Sequence, residues 1–129
     1  MSLKVVDSSG WLHYFMNGPL AERYAKILVG HLSNIVTPTL VLYEVYRRVK
    51  QKLGEDIASS CAAEMEKTRV FTLHSDIAYC AADLSLEHKL ATADALIYAT
   101  ALTLRLKLIT SDSDFKNLPN VEYVSVEEE

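Results

Sequence analysis

Short apolar segments of strand length alternate with longer amphipathic segments along most of this chain. The segments that have the length of buried strands are residues 3–7, 34–36, 69–73, 107–110 and 122–126. Between them, apolar residues recur at helical spacing, as at Leu20, Tyr24 and Leu28. Strands separated by helices form a parallel sheet that is covered on both faces and joined by right-handed crossovers. The sequence therefore predicts an α/β fold, a three-layer α/β/α domain with a five-stranded, mostly parallel sheet.

Hydroxyl and glycine residues indicate where the predicted helices begin and end. A hydroxyl residue precedes several helical segments, which predicts N-caps at Ser8 or Ser9, Thr37, Ser75 and Thr92. Pro38 suits the first position of a helix, and this helix should end at Lys52 because Gly54 stops it. Further helices are expected over residues 20–32, 55–67 and 93–106.

Length and composition limit the class of protein. The 129 residues predict a single domain, residues 1–129, and the two cysteines are too few for a disulfide framework. A net charge of −4 argues against sequence-independent nucleic-acid binding through a broad basic surface, but it allows an enzyme that acts on nucleic acid. The first residues lack the regions of a secretory signal, and the longest apolar stretch is too short to cross a bilayer. We therefore expect a cytoplasmic protein with no membrane partner.

Acidic residues border apolar segments at positions that a parallel sheet would bring together. Asp7 ends the first strand and Asp112 follows the fourth. Ligands of open parallel sheets bind beyond the carboxyl ends of the strands, where the strand order reverses. A helix that precedes a parallel strand begins at this same edge, which places Asp94, in the first turn after Thr92, near the crevice. Glu44 lies about two turns into its helix, within reach of the crevice at a rise of ~1.5 Å per residue.

Carboxylates gathered in this way require protons or divalent cations. Two of them ~4 Å apart repel each other by about 4 kcal/mol at an effective dielectric constant of ~20. Oxygen ligands favour hard cations such as Mg²⁺ or Mn²⁺, which activate water and stabilise charge on a phosphoryl oxygen. The sequence therefore predicts metal-dependent phosphodiester hydrolysis. The predicted metal ligands and catalytic residues are Asp7, Glu44, Asp94 and Asp112.

Four segments of the chain resemble a PIN domain in their order and spacing. They are residues 5–9 (VVDSS), 42–45 (LYEV), 92–101 (TADALIYATA) and 108–115 (LITSDSDF). The chain looks most like the VapC-type toxins of bacterial and archaeal toxin–antitoxin pairs, over essentially its whole length. The resemblance implies the strand order 3-2-1-4-5 and a Mg²⁺- or Mn²⁺-dependent endoribonuclease that leaves 5′-phosphate and 3′-hydroxyl ends. It also implies a homodimer and inhibition by a cognate antitoxin, which we expect to insert a basic side chain, such as Arg, among the acids.

Hydroxyl and acidic neighbours of the four acids are candidates for a supporting role. Thr110, Ser8 and Ser9 are placed to hydrogen-bond the carboxylates or to contact phosphate. Ordinary roles at strand ends and helix caps are the alternative for these three. Asp114 either caps the short turn that begins at Phe115 or supports the metal ligands.

The densest basic run follows Glu44 on the same predicted helix. Arg47, Arg48 and Lys50, together with Lys116 after the fourth strand, are candidates for binding RNA phosphates near the acids. The alternative is a solvated helix face with no binding role.

Two other functions fit parts of the pattern. A non-catalytic, metal-loaded module would bind RNA or a protein without turnover. A phosphate-accepting receiver domain is also a five-stranded α/β fold with acids at its strand ends. Receivers, however, need paired acids at the first strand and a lysine after the last strand, and neither is clear in this sequence.

Overall fold

Parallel strands form the central sheet of the protein, and the computed structural model describes residues 2–126. The strands are β1 (Lys4–Val6), β2 (Ile35–Pro38), β3 (Arg69–Phe71), β4 (Lys107–Thr110) and β5 (Val121–Tyr123). Their order is β3-β2-β1-β4-β5, and the neighbouring pairs are parallel. The expected strand order is therefore confirmed. A receiver domain is excluded on topology, because receivers have the order 2-1-3-4-5.

Helices connect these strands in the way that the sequence predicts. They are α1 (Ser8–Phe15), α2 (Ala21–Leu28), α3 (Thr39–Leu53), α4 (Glu55–Met65), α5 (Ser75–His88) and α6 (Thr92–Thr103). Helix α1 packs against α2 and α3, α3 against α4, and α5 against α6. Val5 and Val6 of β1 are both 0% exposed. Because consecutive strand residues point to opposite faces, the sheet is covered on both sides, and the predicted three layers are confirmed.

The strand order reverses between β2 and β4 on either side of β1. Lys4 pairs with Ile35 of β2 on one side and with Lys107 of β4 on the other. The connection from β1 passes through α1 toward β2, whereas β4 is reached only after α6. The crevice at the carboxyl end of β1 is therefore the topological position at which such sheets bind ligands.

The predicted N-caps are each wrong by one or two residues. The residues at the cap position are Asp7, Pro38, His74 and Ala91. The hydroxyl of Thr37 cannot cap α3, because it is buried in β2 and bonds the hydroxyl of Thr68 at 2.6 Å. Ser8 is the first helical residue of α1, and the Ser9 hydroxyl bonds to Asp7 Oδ2. At the other end of α3, Gly54 has a φ of +93°, and the predicted stop is confirmed.

Helices α1 and α2 approach each other closely at Gly10. A Cβ atom at this position would lie 2.2 Å from Cε1 of Tyr24. Tyr24 is fully buried, so its ring has no room to move aside. In the part of the chain that the structure describes, no helix has the length and apolar character needed to span a membrane.

Candidate acidic site

Asp7 lies in the crevice, directly after β1 and at the start of α1. Its backbone N–H donates to the carbonyl oxygen of Ile109 at 2.9 Å, which ties it to the neighbouring strand β4. The residue is only 2% exposed. Its Oδ2 atom accepts hydrogen bonds from the Thr110 hydroxyl at 2.8 Å and from the Ser9 hydroxyl at 3.1 Å. The strand connection thus places a carboxylate inside the protein and gives one of its oxygens two donors.

Backbone amides after β4 orient these two hydroxyl groups. The Ser111 N–H donates to Ser9 Oγ at 3.1 Å, and the Asp112 N–H donates to Thr110 Oγ1 at 3.0 Å. A hydroxyl has one hydrogen, and each hydroxyl already accepts a bond from an amide. Both hydrogens are therefore available to Asp7 Oδ2. This arrangement favours a carboxylate with one fixed orientation.

The second carboxylate oxygen of Asp7 has a different environment. Oδ1 is buried and has no hydrogen-bond partner. A buried anionic oxygen without a partner is costly, because it has lost its water and gained nothing in exchange. Such an atom fits a cation, since a metal ion would supply the missing interaction.

Three more carboxylates gather at the same edge of the sheet. Asp94 lies in the first turn of α6, and Asp112 and Asp114 follow β4. One oxygen atom from each of these residues lies within 4.8 Å of the others, a spacing that suits a single ion. Asp112 Oδ1 also accepts the Asp114 N–H at 2.9 Å, which fixes the turn that carries both residues.

The capping role considered for Asp114 is wrong. Asp112, and not Asp114, is the cap of the short turn Ser113–Phe115. The Asp114 side chain is exposed and contributes to the carboxylate cluster. The sequence signal that could have found this is the spacing of Asp112 and Asp114, which are two residues apart in a tight turn.

Glu44 extends the site along α3. Burial raises the pKa of Glu44, the Ser8 hydroxyl lowers it by hydrogen bonding, and the charges of Asp7 and Asp112 raise it. Ser8 and Glu44 also line a groove of about 380 Å³ together with Leu12, Tyr43, Arg47 and Arg48, which we call the Glu44 groove. Glu44 therefore interacts electrostatically with the other predicted acids, although it lies outside the tightest cluster.

The carboxylates of the site interact electrostatically with one another. The pKa of Asp94 is raised to about 7, first by burial and then by the charges of four other carboxylates: Asp112, Asp7, Asp114 and Glu44. Burial also raises the pKa of Asp7, against the lowering effect of the Thr110 and Ser9 hydroxyls and of the nearby Ser8 backbone N–H, and the charge of Asp112 raises it again. Asp94, Asp112 and Asp114 thus form the cluster, and Asp7 and Glu44 interact with it electrostatically.

Two residues of the site could not be read from the sequence. The Ser111 hydroxyl lies 2.7 Å from the Tyr24 hydroxyl and donates to the Val124 carbonyl at 2.7 Å. Because Ser111 gives its one hydrogen to Val124, the Tyr24 hydroxyl is the donor to Ser111. Tyr24 thereby links α2 to the turn that holds the site. Its pKa is raised to about 12, mainly by burial.

The candidate RNA-binding residues separate into two groups. Arg47 and Arg48 line the Glu44 groove, and Lys50 lines the depression beside it. Lys116 lies elsewhere, at the end of the turn after β4, with its Nζ atom 5.4 Å from the centre of the Tyr123 ring.

Comparisons with known proteins agree with the fold. The family model described as PIN domain matches residues 4–121. A chain of a toxin–antitoxin complex from Klebsiella pneumoniae is 25% identical, with a TM-score of 0.77 over 97% of this chain and 98% of that chain. The sarcin–ricin loop cleaving toxin VapC20 of Mycobacterium tuberculosis is 19% identical, with a TM-score of 0.76 over 89% and 94% of the two chains.

The third structure is VapBC2 from Rickettsia felis, bound to a DNA fragment from its promoter. It is 17% identical, with a TM-score of 0.77 over 95% of this chain and 99% of that chain. The similarity to VapC20 and to VapBC2 shows a shared fold. Among curated proteins, no sequence matches this chain.

Proposed function

This chain belongs to the PIN domain family, and on that premise we propose that it is a Mg²⁺- or Mn²⁺-dependent endoribonuclease, the toxin of a toxin–antitoxin pair. The observation that carries the proposal is the buried Oδ1 atom of Asp7, which lacks a partner beside a cluster of carboxylates. A purely structural carboxylate would be expected to have both oxygens satisfied.

The residues that would hold the ion are the four predicted acids, with Asp114 close by. When bound, the ion supplies an activated water and stabilises charge on a phosphoryl oxygen. Asp7 presents a single oxygen, because Ser9 and Thr110 occupy the other. Asp94 is partly protonated near neutral pH in the metal-free protein, so it releases its proton when a cation binds.

The chain also positions RNA for cleavage in this proposal. Arg47 and Arg48 line the groove that contains Glu44, and they would bind phosphates of the RNA near the cleaved bond. In this proposal water attacks the phosphorus in line with O3′, the P–O3′ bond breaks, and O3′ takes up a proton. The products have 5′-phosphate and 3′-hydroxyl ends, and no covalent enzyme intermediate forms.

The proposed partners follow from the same site. The Klebsiella pneumoniae relative and VapBC2 are toxin–antitoxin structures, which supports an antitoxin partner for this chain. An antitoxin arginine placed among the carboxylates would act as a surrogate cation and block the site. We further propose a homodimer that acts in the cytoplasm.

The test is cleavage of RNA by the purified, antitoxin-free chain. We expect cleavage with Mg²⁺ or Mn²⁺, none in excess EDTA, and none from Asp7→Asn with either ion. Asp83→Asn is the matched control, because Asp83 is an exposed helical aspartate on α5. Cleavage that persists in EDTA, or in Asp7→Asn, would contradict the proposal. Binding of RNA without cleavage under all metal conditions would instead favour a non-catalytic module.

A further inference from the structure

An exposed aromatic ring stands directly beside the acidic site. Tyr43 precedes Glu44 on α3, and its side chain is 61% exposed. It lines the Glu44 groove, so the ring and the carboxylate border the same space. An exposed tyrosine of this kind is not needed for the core, since α3 packs inward through Val41, Val45 and Val49, which are all fully buried.

Basic side chains follow Tyr43 along the exposed face of α3. Arg47 and Lys50 stand four and seven residues after Tyr43, a spacing that places them on one face of a helix. Together with Tyr46 and Gln51, these three residues line a second depression of about 520 Å³. Tyr43 and Arg47 line both hollows, so the second depression continues the Glu44 groove away from the acids.

The two tyrosines of this surface differ in what they offer. Tyr46 is partly buried, and the Nζ atom of Lys50 lies 5.4 Å from the centre of its ring. Tyr43 has the more open ring. An open aromatic face beside cations, at the edge of a groove that contains a carboxylate, has the chemistry of a single-stranded nucleic-acid path, in which bases stack and phosphates meet basic groups.

We propose that Tyr43 stacks on an unpaired RNA base while Arg47 binds the adjoining phosphate, so that the next phosphodiester reaches the acids. The inference deepens the proposed ribonuclease function and rests on it. The base on Tyr43 must be unpaired, because a base in a duplex is stacked on its neighbours and cannot lie on a protein ring. The basic residues of the surface favour RNA over an apolar protein segment as its occupant.

Binding of a short single-stranded oligoribonucleotide with a fluorescent label tests the proposal, with Ca²⁺ in place of Mg²⁺ and intact RNA verified on a gel. We expect Tyr43→Ala to weaken binding by about 5- to 140-fold, the range found for the loss of one stacked base. Tyr43→Phe should retain the wild-type affinity, because phenylalanine keeps the aromatic face. The matched control is Tyr79→Ala, which removes a ring that is 73% exposed on α5, and it should leave binding unchanged.

Arg47 has its own readout in the same assay. Arg47→Ala should reduce the slope of log affinity against log salt concentration by about 0.7, the value for one phosphate contact on a single strand. Tyr43→Ala should leave this slope unchanged. The RNA duplex of the same sequence should bind weakly to the wild type and should show no loss on Tyr43→Ala.

Three results would overturn the inference. They are an unchanged affinity of Tyr43→Ala for the single strand, an equal loss for single strand and duplex, or loss of binding in Tyr43→Phe.

The proposed function can fail separately from this inference. Metal-dependent cleavage together with a Tyr43→Ala variant that binds RNA normally would refute only the stacking of a base on Tyr43. A wild-type chain that binds RNA through Tyr43 but never cleaves it would refute only the proposed ribonuclease activity.

Discussion

Replacing Asp94 with asparagine should stabilise the metal-free protein while it removes a proposed metal ligand. The pKa of Asp94 is raised from its usual 3.8 to about 7, first by burial and then by the charges of Asp112, Asp7, Asp114 and Glu44. A rise of this size corresponds to about 4 kcal/mol at 1.36 kcal/mol per unit of pKa. Because Asp94 is only half-buried and solvent screens its charge, we halve this value to about 2 kcal/mol.

The direction in which stability changes with pH follows from proton linkage. The folded state holds a proton on Asp94 up to about pH 7, whereas the unfolded state loses it near pH 4. The free energy of unfolding of the wild type should therefore fall as the pH rises from 4 to 7. Asparagine cannot ionise, so Asp94→Asn should be more stable than the wild type by about 2 kcal/mol at pH 8 and equally stable at pH 4.

Urea unfolding in EDTA at these two pH values measures the effect. Asp83→Asn is the control, and as an exposed substitution it should change stability by less than about 0.5 kcal/mol at both pH values. With saturating Mn²⁺ the wild type should be more stable than Asp94→Asn, because the ion stabilises only a chain that can bind it. If Asp94→Asn in EDTA is no more stable than the wild type at pH 8, burial and the neighbouring carboxylates do not destabilise the charged form of Asp94.

The remaining predictions concern the parts of the fold that hold the site. Thr110→Val removes a hydrogen bond to Asp7 Oδ2, so the affinity for Mn²⁺, measured by calorimetry, should fall about 10- to 100-fold; an unchanged affinity would show that Thr110 does not orient Asp7. Gly10→Ala places a Cβ atom 2.2 Å from the buried ring of Tyr24, so thermal unfolding should show a loss of about 1–3 kcal/mol, and wild-type stability would contradict this packing. Tyr24→Phe removes the donor to Ser111 and should cost about 1 kcal/mol in urea unfolding; no loss would mean that this bond contributes nothing.

The parts of the fold that depend on local pattern could be predicted from the sequence. The strand Lys107–Thr110 is a short apolar run between helical segments, and it was predicted with the bounds that the structure shows. Gly54 stops α3 because its positive φ suits glycine. The four acids lie at the carboxyl edge because the order of strands and helices puts them there.

The parts that depend on distant contacts could not be predicted. Thr37 looks like a helix cap, but its hydroxyl bonds Thr68, which lies 31 residues further along the chain. The bond between Tyr24 and Ser111 spans 87 residues, and neither residue type suggests it. Hydrogen bonds between such distant residues form only when the strands and helices have packed together. They determine the orientation of side chains rather than the location of the site.

The position of a bound ion tests the account most directly. Crystals of the wild-type chain grown with Mn²⁺ should give an anomalous difference peak at about 2.1 Å from Asp7 Oδ1, in reach of carboxylate oxygens of Asp94 and Asp112. A protein with Mn²⁺ bound elsewhere, or with Asp7 Oδ1 left without an ion at a saturating concentration, would contradict the claim that this buried oxygen exists to bind a cation.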